Sequence, residues 1–170
     1  YKANTAFDLP VGSVIAKTFY FPMNQNQPQG PRQLAETRLL IHRDSGWQGL
    51  VYLWNGAQAS LKRGGAKVNV SWLNTGGQVV SNAYRVPNLA QCTGCHTQGE
   101  PIGVKAGYLN RKGHGEFANE NQLTTLANAG VLAELPNDER TIPKFAVWND
   151  STSGTLADRA KAYLDINCDH

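Results

Sequence analysis

The sequence predicts an α+β protein: an antiparallel β-sandwich or partial barrel over residues 1–87, then a small helical region over residues 88–170. Three observations carry this expectation. Up to Pro87 the apolar residues recur mainly with period two, which puts alternate side chains on one face of a strand. Turns rich in Gly, Asn and Pro separate these stretches, as in antiparallel sandwiches. After Pro87 the alternation stops and short helical patterns appear in a Gly- and Pro-rich background.

The β elements follow in order. "VGSVIAKTFYF" (Val11–Phe21) is dense in β-branched and aromatic residues, and "LAETRLLIHR" (Leu34–Arg43) sets Thr37, Leu39 and Ile41 against Arg38, Leu40 and His42. The turn "DSG" (Asp44–Gly46) leads to "GLVYLWN" (Gly49–Asn55). "AKVNVSWLN" (Ala66–Asn74) places Val68, Val70 and Trp72 opposite Lys67, Asn69 and Ser71, and "QVVSNAYRV" (Gln78–Val86) follows "TGG". The polar stretch "PMNQNQPQGPR" (Pro22–Arg32) reads as a mobile surface connection.

In the second half "NLAQCTGCH" is expected to form a short helix. "ENQLTTLANAG" (Glu120–Gly130) carries Leu123, Leu126 and Ala127 on one side, with Gly130 placed to end the helix. "TLADRAKAYLDIN" (Thr155–Asn167) opens with Thr155 at the N-cap and Asp158 three residues on, an Asp version of the capping box. Its Leu156, Ala160, Tyr163, Leu164 and Asn167 fall on or near one face. Little regular structure is expected in "GEPIGVKAGYLNRKGHG".

Composition narrows the function classes. The chain has 170 residues, 41% hydrophobic and 17% charged, enough to bury a core without metals or disulfides. No apolar run is long enough for a membrane span. The net charge of +3 divides as nine Lys/Arg against three acids over 1–87 and seven against ten over 88–170. The basic half lacks a dense Lys/Arg cluster, which argues against nucleic-acid binding, and its charge favours an acidic partner surface. The chain begins at Tyr1 without a visible signal peptide, so a leader is expected to have been removed, or the chain to be an excised piece. Three cysteines, Cys92, Cys95 and Cys168, cannot complete a disulfide framework.

Cys92-Thr-Gly-Cys95-His96 fits covalent haem c attachment at every position. Two thiols one helical turn apart match the two vinyl groups, and the adjacent imidazole then lies under the iron as an axial ligand. Gly94 removes bulk beside the porphyrin. Pro101 follows five residues after His96, and its carbonyl is expected to accept the proximal imidazole N–H, as a proline carbonyl does in small cytochromes c. Other chemistries use such a pair. Cys92, Cys95, Cys168 and a histidine would make a four-ligand zinc site, though Cys-x-x-Cys…Cys-x-His is not a standard zinc spacing. A thioredoxin-like pair normally follows the first strand of a βαβ unit, and a plain local disulfide is the remaining reading.

The sixth iron position has several candidates. His114, in "RKGHGEF", is the first; Met23, the sole methionine, and His42 follow; an open position is the alternative. Tyr108 and Trp148 are placed to line the haem or bond a propionate, and Arg111 and Lys112 to neutralise propionates. Trp47, Trp54 and Trp72 read as β-core or edge packing.

Seven stretches, "KTFYFP", "ETRLL", "GWQGLVYLWN", "YRVPNLAQCTGCH", "PIGVKAGYLNR", "ENQL" and "RAKAYLDINCDH", together span almost the whole chain. In this order they resemble a family of bacterial exported diheme c-type cytochromes. The resemblance implies a β-rich N-terminal portion followed by c-type haem sites in a cytochrome c-like region. It also implies electron transfer in periplasmic or outer-surface redox chains, with Cys92 and Cys95 as thioether anchors and His96 as proximal ligand. Where the family completes a second Cys-x-x-Cys-His, this chain stops at Cys168-Asp-His170. It is therefore expected to hold one haem c by the usual chemistry, with a second possible in the intact protein. Cys168 is either a leftover thiol or half of a second haem site, and His170 stands at a spacer position.

The expected function is single-electron transfer by a covalently bound haem c, in an electron carrier rather than an enzyme. Its partners are expected to be redox proteins or neighbouring cytochromes, with a homo-oligomer or larger assembly as a further expectation. It is expected to work in the periplasm or outside the cell. A haem enzyme or small-ligand sensor with an open sixth site is one alternative, although no peroxidase-type distal Arg/His pair is recognisable. A zinc-stabilised β-sandwich binding carbohydrate through Trp47 and Trp54 is the other.

Overall fold

The computed structural model describes residues 1–95, 101–113 and 118–167, without the side chains of residues 93–95. The chain forms two compact units, Leu9–Glu100 and Tyr1–Asp8 with Pro101–His170. The sequence division after residue 87 thus falls inside the first unit, just ahead of the helix that carries Cys92.

The first unit holds six strands: β1 (Val14–Pro22), β2 (Arg32–Arg43), β3 (Gly46–Asn55), β4 (Gln58–Leu61), β5 (Ala66–Leu73) and β6 (Val79–Val86). Strands β1 to β4 form an antiparallel meander, and β5 and β6 form a separate hairpin. Neither sheet closes, so the α+β expectation holds in its coarser form: two open antiparallel sheets with a few short helices. The hairpin lies on one face of the meander. Phe21 of β1 stacks on Trp72 at 5.8 Å and meets Tyr84 edge-on at 5.3 Å. Val51 and Val70 are fully or almost fully buried. The alternation read along β5 is seen in its burial, with Val68, Val70 and Trp72 turned in and Lys67, Asn69 and Ser71 exposed.

One irregularity resets the β2 faces. Phe19 pairs with Glu36 and Tyr20 with Leu34, which leaves Ala35 as an extra residue. A β-bulge of this kind lets neighbouring residues depart from strict alternation, and Ala35 and Glu36 are both fully buried. Strand β4, "QASL", was not foreseen. The Pro22–Arg32 stretch is also not the loose connection expected. Beyond the strand residues at its ends, Met23 donates to Pro31 O, Leu73 donates to Met23 O, Gln25 donates to Leu73 O, and Asn26 Nδ2 donates to Thr75 O. These bonds tie it to the turn of the β5–β6 hairpin.

The last described element of the first unit is helix α1 (Leu89–Cys95). The second unit contains α2 (Ala106–Leu109), α3 (Gln122–Asn128), a 3-10 turn at Glu139–Thr141, and α4 (Leu156–Asn167). Its core is Ala106, Leu123 and Ile142, packed by Tyr1, Phe7, Leu109, Leu132 and Leu135. The N-terminal segment enters this core because Ala6 bridges Lys105 and Phe7 N–H donates to Val104 O. Gly107 is required by close approach, since a Cβ there would lie 2.8 Å from the Phe145 ring.

The three expected helices form. Asn121 caps α3 by accepting from Leu123 N–H at 3.0 Å, and Gly130 follows its end at φ +71°. The capping box of α4 closes in both directions, Asp158 N–H to Thr155 Oγ1 and Thr155 N–H to Asp158 Oδ2, both at 3.1 Å. The apolar face expected for α4 is not the buried one. Leu156, Tyr163 and Leu164 are exposed, Leu156 by 74%, and Ala162 is the buried residue. Polar anchoring on the other side sets the orientation: Tyr108 Oη donates to Ala162 O and Asp165 Oδ2, and Lys105 Nζ donates to Asp165. No helix among the described residues is long and apolar enough to cross a membrane.

Candidate haem-attachment segment

Helix α1 is held at its start by a reciprocal cap that the sequence reading missed. Asn88 Oδ1 accepts from Gln91 N–H and Gln91 Oε1 accepts from Asn88 N–H, both at 2.9 Å. "Asn-x-x-Gln" is a legible form of the capping box. Gly65, at φ +73°, passes so close that a Cβ would meet Val86 O at 2.9 Å and Asn88 N at 3.2 Å. Only glycine combines that backbone with that approach, so the β4–β5 connection fixes where β6 becomes α1.

Cys92 is half-buried on α1, with its thiol donating to Asn88 O at 3.5 Å. Helix α1 packs on β3, and a Cβ at Gly49 would stand 3.9 Å from Cys92 Cβ. The backbone is helical through Cys95, so Cys92 and Cys95 are one turn apart on the same side. The Cys95 side chain and residues His96, His114, Cys168 and His170 lie outside the described residues.

The other candidates have structural engagements of their own. Pro101 is buried at the start of its segment. Tyr108 places its hydroxyl on Ala162 O at 2.8 Å and Asp165 at 2.5 Å, with its ring edge-on to Phe145. Arg111 Nη2 donates to Gly107 O and Phe145 O, and burial holds its pKa below the ordinary arginine value. Lys112 forms a backbone bridge with Asn121. Trp148 is 63% exposed against Tyr163, and Met23 is 53% exposed. His42 Nδ1 lies 2.7 Å from Leu9 O and its ring stacks on Trp47 at 4.5 Å. Trp47 and Trp54 are seven residues apart on a regular strand and so point to opposite faces. Trp54 Nε1 donates to Thr37 Oγ1 at 2.9 Å. A carbohydrate platform using both rings is therefore incompatible with β3.

A polar cluster near α1 had no sequence-level forecast. Glu36 is fully buried, and its Oε1 accepts from Tyr84 Oη and from Arg38 Nη2, each at 2.6 Å. Among the described residues Glu36 Oε2 and Arg38 Nε are buried without a hydrogen-bond partner. Burial, then the bond to Glu36, pushes Tyr84 up to about 12. Burial opposes the charge on Arg38, but the bond to Glu36 and the charges of Glu36, Tyr84 and Cys92 outweigh it and raise its pKa. Arg38 is thus within electrostatic reach of Cys92. A signal existed only for half of the cluster: "Glu-x-Arg" on one strand face can pair, but nothing local points to Tyr84.

Among the described residues no three His, Cys, Asp or Glu side chains converge as a metal site. The cysteines and histidines of the zinc reading, apart from Cys92 and His42, have side chains outside those residues. No protein-family model, curated protein or solved structure matches the chain.

Proposed function

We propose that the chain is an electron-transfer c-type cytochrome that binds one haem through Cys92 and Cys95, with His96 as proximal iron ligand. The observation that carries this reading is the sequence Cys-x-x-Cys-His, with Cys92 and Cys95 one turn apart on a capped helix. Two thiols and an adjacent imidazole form the donor set that covalent haem attachment needs. When bound, the haem supplies a one-electron ferric/ferrous couple, whose potential its ligands and burial set. The protein's own share is to hold the anchors on the capped helix α1, which packs on β3. The resemblance to exported diheme cytochromes supports the same assignment and favours a periplasmic or extracellular setting, with redox proteins or neighbouring cytochromes as partners. A cytochrome c-like arrangement around His96, with Pro101 accepting its N–H, belongs to this proposal.

The visible spectrum of the denatured, reduced protein in pyridine tests it. One covalent haem per chain is expected, lost in Cys92→Ala/Cys95→Ala. A colourless protein containing stoichiometric zinc would overturn the assignment.

A further inference from the structure

We propose that Lys62, Arg63, Lys67 and Arg85 form a docking face for an acidic protein partner, placed at the point where the chain enters α1. From Ser45 to Gly99 the sequence contains no Asp or Glu, and these four residues are its only Lys or Arg. All four are exposed, and among the described residues none pairs with a carboxylate. Lys67 and Arg85 stand directly opposite each other on the outer face of the β5–β6 hairpin. Directly opposed like charges destabilise a sheet, and no described anion relieves this pair. Arg63 lies two residues before Gly65, whose backbone packs against Val86 and Asn88. Arg85 lies three residues before Asn88, the cap of α1. The cations therefore gather around the root of the helix that carries Cys92.

The rest of that hairpin face is low, with Asn69, Ser71, Ser81 and Ala83 exposed beside the cations and Leu73 and Val79 exposed at its far end. It presents no aromatic ring, because Trp72 and Tyr84 turn inward. A single-stranded nucleic acid relies on aromatic stacking as well as charge, so the chemistry fits a carboxylate-rich protein surface. Complementary charge of this kind speeds encounter and sets orientation more than it adds affinity. As a route for electrons the proposal rests on the haem assignment; as an acid-binding surface it does not.

The test compares Lys62→Gln/Lys67→Gln/Arg85→Gln with Lys17→Gln/Arg32→Gln/Arg43→Gln, which removes the same charge from elsewhere in this unit. Fluorescein-labelled polyglutamate, read by anisotropy at low salt, needs no haem. The first triple is expected to weaken its binding about tenfold and the control about twofold or less. In stopped flow, oxidation of the reduced holoprotein by ferricyanide is expected to slow, and by tris(phenanthroline)cobalt(III) to quicken, in the first triple only. Equal effects of the two triples in either assay would overturn the proposal, since net charge alone would then explain them. Tighter binding of an oligothymidylate than of polyglutamate of equal length would overturn it in favour of nucleic acid. If the pyridine spectrum shows no haem while polyglutamate still discriminates the triples, the haem assignment and the electron route fail and the acid-binding face stands.

Discussion

Glu36 sits fully buried between two donors, and the consequences belong to its partners. Tyr84 has its pKa raised to about 12 by burial and by the bond to Glu36. A raised folded-state pKa contributes stability that is complete below the unfolded tyrosine value near ~10 and is lost as pH rises through the folded value. Wild type is therefore expected to lose more stability than Tyr84→Phe between these two pH values. Ultraviolet titration should show one late-ionising tyrosine that the variant lacks. Glu36→Ala leaves Arg38 half-buried without its carboxylate and is expected to cost about 2–3 kcal/mol, below the value for a fully buried pair because Arg38 is partly exposed. Urea denaturation measures this, and Glu36→Leu/Arg38→Leu should recover part of the loss. Little of this cluster was legible beforehand. Glu36 and Tyr84 are far apart in the chain, and no local signal points to their contact. The anchors Cys92 and Cys95 were legible because their spacing is local and coincides with one helical turn.

Elements whose signals are local were readable, while the choice of buried face often was not. For α4, both the existence of the helix and its Thr155–Asp158 cap follow from nearby residues. Its bond to Thr155 holds Asp158 below the ordinary carboxylate range, so the cap's support is present above that range and fades as pH falls through it. Thr155→Ala is expected to cost about 1 kcal/mol. Leu156→Ser and Leu164→Ser, on the exposed apolar face, should each stay within about 0.5 kcal/mol. Thermal unfolding of the three variants separates the cap from the exposed face. The face was misread because α4 is positioned by Tyr108 and Lys105 acting on Ala162 and Asp165, not by its largest apolar side chains. Strand β4 escaped notice because four exposed residues leave no burial pattern. The Pro22–Arg32 stretch looked loose because its anchors are main-chain bonds with Leu73 and a bond from the Asn26 side chain to Thr75 O, which composition does not encode.

Across the whole molecule, chain order and spatial grouping diverge. Residues 9–100 carry eight Lys/Arg and three acids, and most of the acids are in the other unit. The second unit is built from both ends of the chain, since residues 1–8 join the segment that starts at Pro101. A reading that proceeds from N- to C-terminus assigns Tyr1 and Phe7 to the β half, yet both pack on Ala106, Leu123 and Ile142. Phe7 also closes a main-chain bond to Val104. Truncating a packed phenylalanine costs about 3–5 kcal/mol when the site is fully enclosed. Phe7 is only partly buried, so Phe7→Ala is expected to cost about 2–3 kcal/mol. Native-state hydrogen exchange can locate that loss. The amides of Leu109 and Asn110, bonded to Lys105 O and Ala106 O, should exchange faster by the factor that this energy sets. The β2–β3 ladder, closed within residues 36–53 and 43–46, serves as the internal reference. Faster exchange confined to the ladder would mean that Phe7 supports the β unit instead, and the grouping of the N-terminal residues with α2 would be wrong.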